Sequence, residues 1–328
     1  MRLSLVIPCY NEEASLPALL PALDGSLAEL GRIGHVVEVL LVDDGSRDGS
    51  AKLLREATAE RPWLRVIRLS RNFGQTAAMA AGFAAATGEV IFPLDADLQN
   101  DPADVPLLLA KLNEGYDVVS GWRKDRQDKA LTRKLPSVIA NRLISQMSGV
   151  HLHDYGCTLK AYRREILQDV HLYGEMHRFI PIYAAWHGAR VTEVPVRHHP
   201  RRAGVTKYGL GRIPNVILDL LLVRFLWSYG TKPIHAFGKF GLASISLSLL
   251  AFGYAAYLKL AHRADFIQTP LPTLCVTFFL IGCLSILMGF LAEIAMRTYH
   301  EAAGSPTYVV REEYMGGETQ PRIASGRR

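Results

Sequence analysis

Two long apolar stretches near the C-terminus dominate the hydrophobic pattern of the chain. Residues 240–258 and 271–292 contain no charged side chain, and a helix needs roughly 20 apolar residues to cross a hydrocarbon core of about 30 Å. We therefore predict two transmembrane helices rather than a pair of buried core helices. Lys232, Lys239 and Arg297 flank the outer ends of the pair, which predicts that both ends are cytoplasmic.

The part of the chain before these stretches shows a different pattern, in which short apolar runs alternate with segments of helical spacing. The apolar runs of strand length are residues 3–8, 36–42, 64–69, 90–94, 117–120 and 191–196. Helical spacing predicts helices over 15–30, from about 48, and over 76–86. This alternation predicts an α/β fold with a mainly parallel sheet and helices on both faces.

The same pattern divides the chain into four parts. We expect a cytosolic globular domain over residues 1–212, an interfacial helix or linker over 213–234, a transmembrane hairpin over 235–298 and a flexible cytoplasmic tail over 299–328. Residues 214–229 are apolar with Asp219 and Arg224 embedded, which suits a helix at the membrane surface. A core helix of the globular domain is the alternative for this segment. Residues 131–147 fit either a second membrane-surface helix or an ordinary amphipathic one.

Composition narrows the class of protein. The 328 residues are 49% hydrophobic and 21% charged, which excludes a disordered chain. Four cysteines are too few and too scattered for a disulfide framework or a zinc knuckle, and they fit a reducing compartment. The net charge of +6 favours a phosphate-bearing substrate or an anionic membrane surface over nucleic acid. The first residues form a strand-like run too short for a signal core, so we expect the N-terminal domain in the cytosol.

Acidic side chains follow three of the predicted strands, at residues 11–13, 43–44 and 95–97. Ligands bind at the carboxyl ends of parallel strands, so these carboxylates should gather at one edge of the sheet. Asp95 and Asp97 lie two residues apart, and their oxygen atoms suit Mg²⁺ or Mn²⁺, which often share coordination with substrate phosphates. The chain has no P-loop and no G-x-G-x-x-G motif, which argues against ordinary NTPases and dinucleotide enzymes.

Several motifs together resemble a known family. They are PCYNEE at 8–13, LVDDGSRDGS at 41–50, RNFGQTAAMAAG at 71–82, LDADLQNDP at 94–102, HDYGCTLKAYRRE at 153–165, YGEMHRFIP at 173–181 and RRAGVTKYG at 201–209. With the membrane pair, they resemble the polyprenyl-phosphate glycosyltransferases, a group of inverting enzymes with a Rossmann-like GT-A domain. The motifs at 71–82 and 154–164 are most similar to those of the branch that transfers 4-deoxy-4-formamido-L-arabinose, and similar motifs occur in glucosyl-transferring relatives.

The resemblance implies roles for individual residues. The residues implied in nucleotide binding are Pro8, Tyr10, Glu12, Asp44, Asp95 and Ala96, with Asp44 at the nucleobase or ribose. The implied metal site consists of Asp95, Asp97 and Gln99. The implied acceptor-phosphate site consists of Arg123, Arg133, Arg201 and Lys207. Asp97, Arg123 and Asp154 are the residues implied in catalysis, Asp154 as a carboxylate near the acceptor. Thr206 stands where the family usually has serine, which keeps the small hydroxyl.

These roles lead to a functional expectation with two alternatives. We expect inverting, metal-dependent transfer from a UDP-sugar, such as UDP-4-deoxy-4-formamido-L-arabinose or UDP-glucose, to undecaprenyl phosphate at the cytoplasmic face of the inner membrane, with a homo-oligomer such as a tetramer possible. A processive polysaccharide synthase would usually carry a Q-x-x-R-W segment and more membrane spans, which this sequence lacks. A non-catalytic scaffold is disfavoured because Asp97 and Arg123 are present.

Overall fold

A computed structural model describes most of the chain, in two compact units. The described residues are 1–124, 141, 144–145, 148–168, 176–200, 234–261, 265–302, 308–317 and 322–323. The first unit combines Met1–Asp219 with Pro306–Arg328, and the second is Leu220–Ser305. The predicted acceptor residues Arg133, Arg201 and Lys207, and the segment 214–229, lie outside the described residues.

A nine-stranded sheet forms the centre of the first unit, in the order β7-β5-β6-β4-β1-β2-β3-β8-β9. The strands are β1 Arg2–Cys9, β2 Val36–Asp43, β3 Leu64–Leu69, β4 Val90–Pro93, β5 Val118–Trp122, β6 Lys160–Arg163, β7 Val191–Pro195, β8 Val310–Tyr314 and β9 Arg322–Ile323. Strands β4, β1, β2 and β3 are parallel neighbours, and β7 is parallel to β5. The predicted α/β fold with a mainly parallel sheet is confirmed.

Helices cover both faces of this sheet. They are α1 Leu16–Arg32, α2 Ser50–Glu60, α3 Gln75–Ala85, α4 Val105–Asn113, α5 Arg164–Gln168 and α6 Ile180–Trp186. One apolar core lies between the sheet and α1, α2 and α4, and a second lies between the sheet and α3, α5 and α6. Burial on both faces explains why the central strands read as continuous apolar runs.

Helix α3 lies unusually close to the sheet. A Cβ atom at Gly82 would stand 2.3 Å from Val6 Cγ1 and 3.2 Å from Val42 Cγ2. Larger side chains at this position would force the helix away from β1, and the alanine-rich sequence of α3 keeps the same surface shallow elsewhere. This close approach fixes the position of the first turn of α3, which begins at Gln75, at the carboxyl edge of the sheet.

Two strands differ from the sequence-based expectation. Strand β6 is antiparallel to both β4 and β5, and its four residues lack an apolar run that would predict it. Strand β8 lies within the predicted flexible tail, but it pairs antiparallel with β3. Tyr314 is buried in the core, and Glu313 forms an ion pair with Arg65. Three of the five residues of β8 are charged, so its sequence pattern resembles that of a tail.

The second unit contains two long helices, α7 Ile234–Leu260 and α8 Leu271–Ala302. They run antiparallel: Gly241 packs against Gly282, and further along α7 the Ser248 hydroxyl donates a 2.7 Å hydrogen bond to the Cys275 carbonyl oxygen. Segments Phe237–Leu260 and Leu271–Ala292 are long and apolar enough to cross a membrane. Most of their large apolar side chains are exposed, unlike those of a core helix in a soluble protein.

Candidate active site

The carboxyl ends of β1, β2 and β4 meet at one edge of the sheet, and hydrogen bonds join the loops that follow β1 and β2. The Asn11 N–H donates to Ser46 Oγ at 2.9 Å, and the Glu12 N–H donates to Ser50 Oγ at 2.9 Å. Asn11 adopts a left-handed backbone conformation with φ of 52°, which asparagine tolerates better than most residues. These two hydrogen bonds join the loop after β1 to the loop after β2, which are neighbours because β1 and β2 are adjacent in the sheet.

The residues predicted to bind the nucleotide lie along this edge. Pro8 pairs with Val42 within the sheet, and Tyr10 and Glu12 follow it in the loop. The Glu12 carboxylate accepts a 2.8 Å hydrogen bond from the Ser15 hydroxyl at the start of α1. Ala96 is buried in the core beneath the edge. The structure places these residues together, while their contacts with a nucleotide stay a prediction.

Asp44 fixes the segment that leads into α3. Its carboxylate accepts hydrogen bonds from the backbone N–H groups of Phe73 at 2.7 Å and Gly74 at 2.9 Å. Burial raises the pKa of Asp44 even though these two bonds oppose the shift. The residue thus connects the end of β2 to the first turn of α3, a function that the sequence did not suggest. Its predicted contact with a nucleobase or ribose stays a prediction.

Asp95 is held by side chains from two other segments. Gln75 Nε2, in the first turn of α3, donates to its Oδ1 at 2.9 Å, and the Thr158 hydroxyl donates to its Oδ2 at 2.6 Å. Burial and the neighbouring charge of Asp97 raise the pKa of Asp95 to about 6, while Arg123 and Arg178 act in the opposite direction. The carboxylate is thereby fixed in direction and placed beside a second acid.

Asp97 completes the acidic pair. It is buried, and its Oδ1 accepts the Gln99 N–H at 3.1 Å. Between the two acids and Gln99, Leu98 adopts a left-handed conformation with φ of 57°, which is uncommon for a branched residue. Such strain is concentrated at functional sites, where surrounding structure stabilises it.

The acidic pair fits a hard divalent cation. Two buried carboxylates repel each other, and a cation between them would relieve the repulsion that raises the pKa of Asp95. Among the described residues, no group of three or more His, Cys, Asp and Glu side chains could hold a metal ion alone. Mg²⁺ is commonly bound by one or two carboxylates together with substrate phosphates, so a two-acid site suits it. Gln99 lies next to the pair, but its metal role stays a prediction.

Arg123 and Asp154 form a bidentate ion pair. Arg123 Nε donates to Asp154 Oδ2 at 2.7 Å, and Nη2 donates to Oδ1 at 2.9 Å. Burial would lower the pKa of Arg123, but the charge and hydrogen bonds of Asp154 outweigh it and raise that pKa. Since Arg123 also lowers the pKa of Asp95, the basic and acidic groups share one buried environment. Asp154 is engaged in orienting the arginine.

The structure adds Gln75, Thr76 and Thr158, which the sequence did not single out, and it places His177, for which the sequence left a substrate contact and a helix start open. Thr76 Oγ1 lies 2.7 Å from His177 Nδ1, and burial, with the charges of Arg178 and Lys160, lowers the pKa of His177 to about 3. Gln75 and Thr158 support Asp95 as described above. All of these residues lie within the motifs that carry the family resemblance. Contacts between uncharged side chains from separate segments cannot be predicted from their sequence positions.

Comparison with known proteins agrees with this architecture. The profile described as Glycosyl transferase family 2 matches residues 4–170. A dodecaprenyl-phosphate galacturonate synthase of Rhizobium johnstonii is 43% identical over 316 residues, covering 95% of this chain and 93% of that relative. An undecaprenyl-phosphate 4-deoxy-4-formamido-L-arabinose transferase of Klebsiella pneumoniae is 40% identical over 321 residues, covering 97% of this chain and 95% of that relative.

Among solved structures, glucosyl-3-phosphoglycerate synthase from Mycobacterium tuberculosis, in complex with Mn²⁺, uridine diphosphate and glucosyl-3-phosphoglycerate, has a TM-score of 0.52 to this chain. The two are 19% identical, and the match covers 68% of this chain and 79% of the other. At this identity, the likeness supports the fold of the first unit alone.

Proposed function

Because the chain belongs to glycosyl transferase family 2, we propose that it transfers a sugar from a UDP-sugar to a polyprenyl phosphate. It is a glycosyltransferase with the GT-A fold, and its relatives carry names of polyprenyl-phosphate sugar transferases. The observation that supports the proposal is the common environment of the Asp95–Asp97 pair and the Arg123–Asp154 pair. Transfer between two phosphate-bearing substrates requires groups of both kinds within one site.

On the donor side, Asp95 and Asp97 would hold Mg²⁺ or Mn²⁺ against the diphosphate. When bound, the cation supplies Lewis-acid stabilisation of the charge that develops on the leaving group. Gln75 and Thr158 keep the Asp95 carboxylate in one orientation, so its oxygen atoms do not have to reorganise when the donor binds. The acidic pair is therefore already oriented before the glycosidic bond breaks.

On the acceptor side, the nucleophile is a phosphate oxygen that is already anionic at neutral pH. General-base catalysis is accordingly less necessary than it would be for an alcohol acceptor.

The acceptor needs positioning against a second anion, and the planar guanidinium group of Arg123 matches phosphate oxygens. Asp154 binds the Nε–Nη2 edge of the guanidinium through two hydrogen bonds, so the other edge, at Nη1, is the one that would bind a phosphate; this arrangement favours an orienting role for Asp154 over that of a base. Arg133, Arg201 and Lys207 are proposed as further acceptor contacts. A single displacement would invert the anomeric carbon.

We further propose that α7 and α8 cross the inner membrane, with the first unit in the cytosol. Strand β8 follows α8 in the chain and pairs with β3, so the segments before and after the helix pair belong to one sheet. Both outer ends of the helix pair must then lie on the same side. The exposed apolar side chains of α7 and α8 support lipid contact.

The test is a donor panel with the detergent-purified full chain. The assay combines Mn²⁺ or Mg²⁺, undecaprenyl phosphate and UDP-sugars that include UDP-glucose, UDP-galacturonate and UDP-4-deoxy-4-formamido-L-arabinose, and it follows a lipid-soluble, mild-acid-labile product by mass spectrometry. We expect such a product from one donor, with loss of the reaction in EDTA. A high-molecular-weight polymer would instead indicate a polysaccharide synthase, and no transfer from any donor would indicate a scaffold.

A further inference from the structure

Lys160 is a buried lysine that the proposed chemistry does not use. It begins β6 with 3% of its surface exposed, and its Nζ donates to the carbonyl oxygens of Tyr155, at 3.3 Å, and Cys157. Within the described part of the chain, its ammonium group has no carboxylate partner in an ion pair. A buried ammonium group is costly, so the two carbonyl contacts must offset a substantial desolvation penalty.

The desolvation of Lys160 also affects its pKa. Burial lowers the pKa of Lys160 to about 8, and Arg123 and Arg178 add to this effect while Asp154 opposes it. An apolar side chain at this position would avoid the cost, because the next two residues of β6, Ala161 and Tyr162, are buried in the core. A buried charge held by these two carbonyl contacts points to a function in the segment that Lys160 binds.

That segment, residues 154–158, contributes to both halves of the site. At its start, Asp154 holds Arg123, and the Gly156 N–H donates to Asp154 Oδ1 at 3.1 Å. At its end, the Thr158 hydroxyl donates to Asp95. The two carbonyl groups that Lys160 binds, at 155 and 157, lie between these side chains in sequence. A shift of the segment would displace Asp154 and Thr158 together.

We propose that Lys160 is a positioning residue that sets the acceptor-side arginine and the metal-side carboxylate at the same time, by fixing the segment 154–158 through its carbonyl groups. The inference rests on the proposed function of Asp95 and Arg123. It gives Lys160 no contact with substrate, in keeping with its burial.

The experiment compares four single variants in the full-length enzyme. Lys160→Met keeps an unbranched chain but has no donor. We expect it to raise both the Mn²⁺ concentration for half-maximal activity and the KM for undecaprenyl phosphate, each by about 10-fold or more, as for the loss of a supporting hydrogen-bond partner. Thr158→Val should raise only the Mn²⁺ requirement, and Asp154→Asn only the KM for the lipid. Lys160→Arg, which keeps donors for the carbonyls, should move both constants back toward the wild-type values.

Two measurements are independent of turnover. Titration of Mn²⁺ with UDP present, followed by electron paramagnetic resonance of the free ion, should show weaker binding in Lys160→Met. Hydrogen exchange should show a faster exchange of the Gly156 amide. Ser120→Ala is the matched control: Ser120 lies opposite Lys160 in the β5–β6 register, it is fully buried, and its hydroxyl has no hydrogen-bond partner among the described residues. It should leave every quantity unchanged.

Specific outcomes overturn the inference. If the Mn²⁺ requirement and the KM for the lipid are unchanged in folded Lys160→Met, or if only its melting temperature falls, Lys160 contributes to packing and does not position the site. If Lys160→Met does not fold, Lys160→Leu, which also has no donor, takes its place, and unchanged constants there overturn the inference equally. A wild-type enzyme inactive with every donor would defeat the proposed function instead, and the Mn²⁺ titration and the hydrogen exchange would still decide the role of Lys160.

Discussion

At the scale of single residues, the two acids of the site differ in their surroundings. Asp95 is held by side chains from α3 and from the segment before β6, whereas Asp97 accepts a backbone N–H from its own loop. Removal of Asp95 would therefore break hydrogen bonds to two other segments as well as remove a charge offered to a cation. We therefore place the test of the metal role at Asp97.

We expect Asp97→Ala to reduce transfer by about a hundredfold or more, because it removes half of the carboxylate pair that would hold the cation. The protein should remain folded and membrane-bound. The measurement is initial velocity with the active donor, alongside a thermal unfolding curve. Asp24→Ala, which removes a partly buried ion pair with Arg61 outside the proposed site, should retain activity. Retention of most activity in Asp97→Ala would refute the metal role.

His177 gives a prediction for the pH dependence of stability. Burial lowers its pKa to about 3 in the folded state, against about 6.5 in an unfolded chain. The unfolded state therefore binds the proton more tightly, so this contribution to stability is complete above about pH 6.5 and is lost as the pH falls toward 3. Between pH 7 and 5, the free energy of unfolding should fall by up to about 2 kcal/mol.

The check is chemical denaturation in detergent at pH 7 and pH 5. His177→Gln has no titrating ring, so its stability should fall less than that of the wild type over this range. Equal losses in the two proteins would show that other groups cause the acid sensitivity.

Sequence reasoning located the charged residues of the site better than the uncharged ones. Asp95, Asp97, Arg123 and Asp154 were predicted, and the structure brings them into one environment. Thr158 and Lys160 were not predicted as site residues. A lone lysine in a short strand is usually exposed. Nothing in the sequence indicates that Lys160 donates hydrogen bonds to two carbonyl oxygens of the preceding loop.

At the scale of elements, the short distance between α3 and the sheet controls the position of Gln75 and Thr76. We expect Gly82→Val to lower the free energy of unfolding by about 1–3 kcal/mol, because the new side chain would overlap Val6, whose short side chain is buried and cannot move aside. Urea unfolding followed by circular dichroism measures the change.

Gly25→Ala is the control for that prediction, since Gly25 lies inside α1 with open space around it. This change should be stabilising, by about 0.5–1 kcal/mol, because alanine restricts the unfolded chain more than glycine does. A neutral Gly82→Val would mean that α3 can shift without loss, and the close packing would then not determine the site.

The central elements could be predicted because their strands are buried on both faces, and β1 to β4 appear within two residues of the expected bounds. Strands β6 and β8 could not, since their side chains are largely polar or charged and their pairing is antiparallel to distant segments. Their existence depends on partners that are remote in sequence, which local patterns do not report.

At the scale of the whole molecule, the chain leaves the sheet, forms the helix pair and then returns to the same sheet as β8. This connectivity predicts a hairpin topology in the membrane. Alkaline phosphatase inserted at Asp265, in the connector between α7 and α8, should be active because that enzyme folds only in an oxidising compartment. Green fluorescent protein at the C-terminus should fluoresce. An inactive phosphatase insertion would contradict the hairpin.

The return of the chain as β8 also has a consequence for biosynthesis. The outer edge of β3 acquires its partner only after the ribosome has made both α7 and α8. At about 5–20 residues per second, several seconds separate the emergence of β7 from that of β8. During this interval the nascent protein carries an open strand edge, which is a site of aggregation in many proteins. Delivery of the helix pair to the translocation machinery therefore precedes closure of the catalytic sheet, and a stop codon between α8 and β8 should yield an inserted but aggregation-prone enzyme.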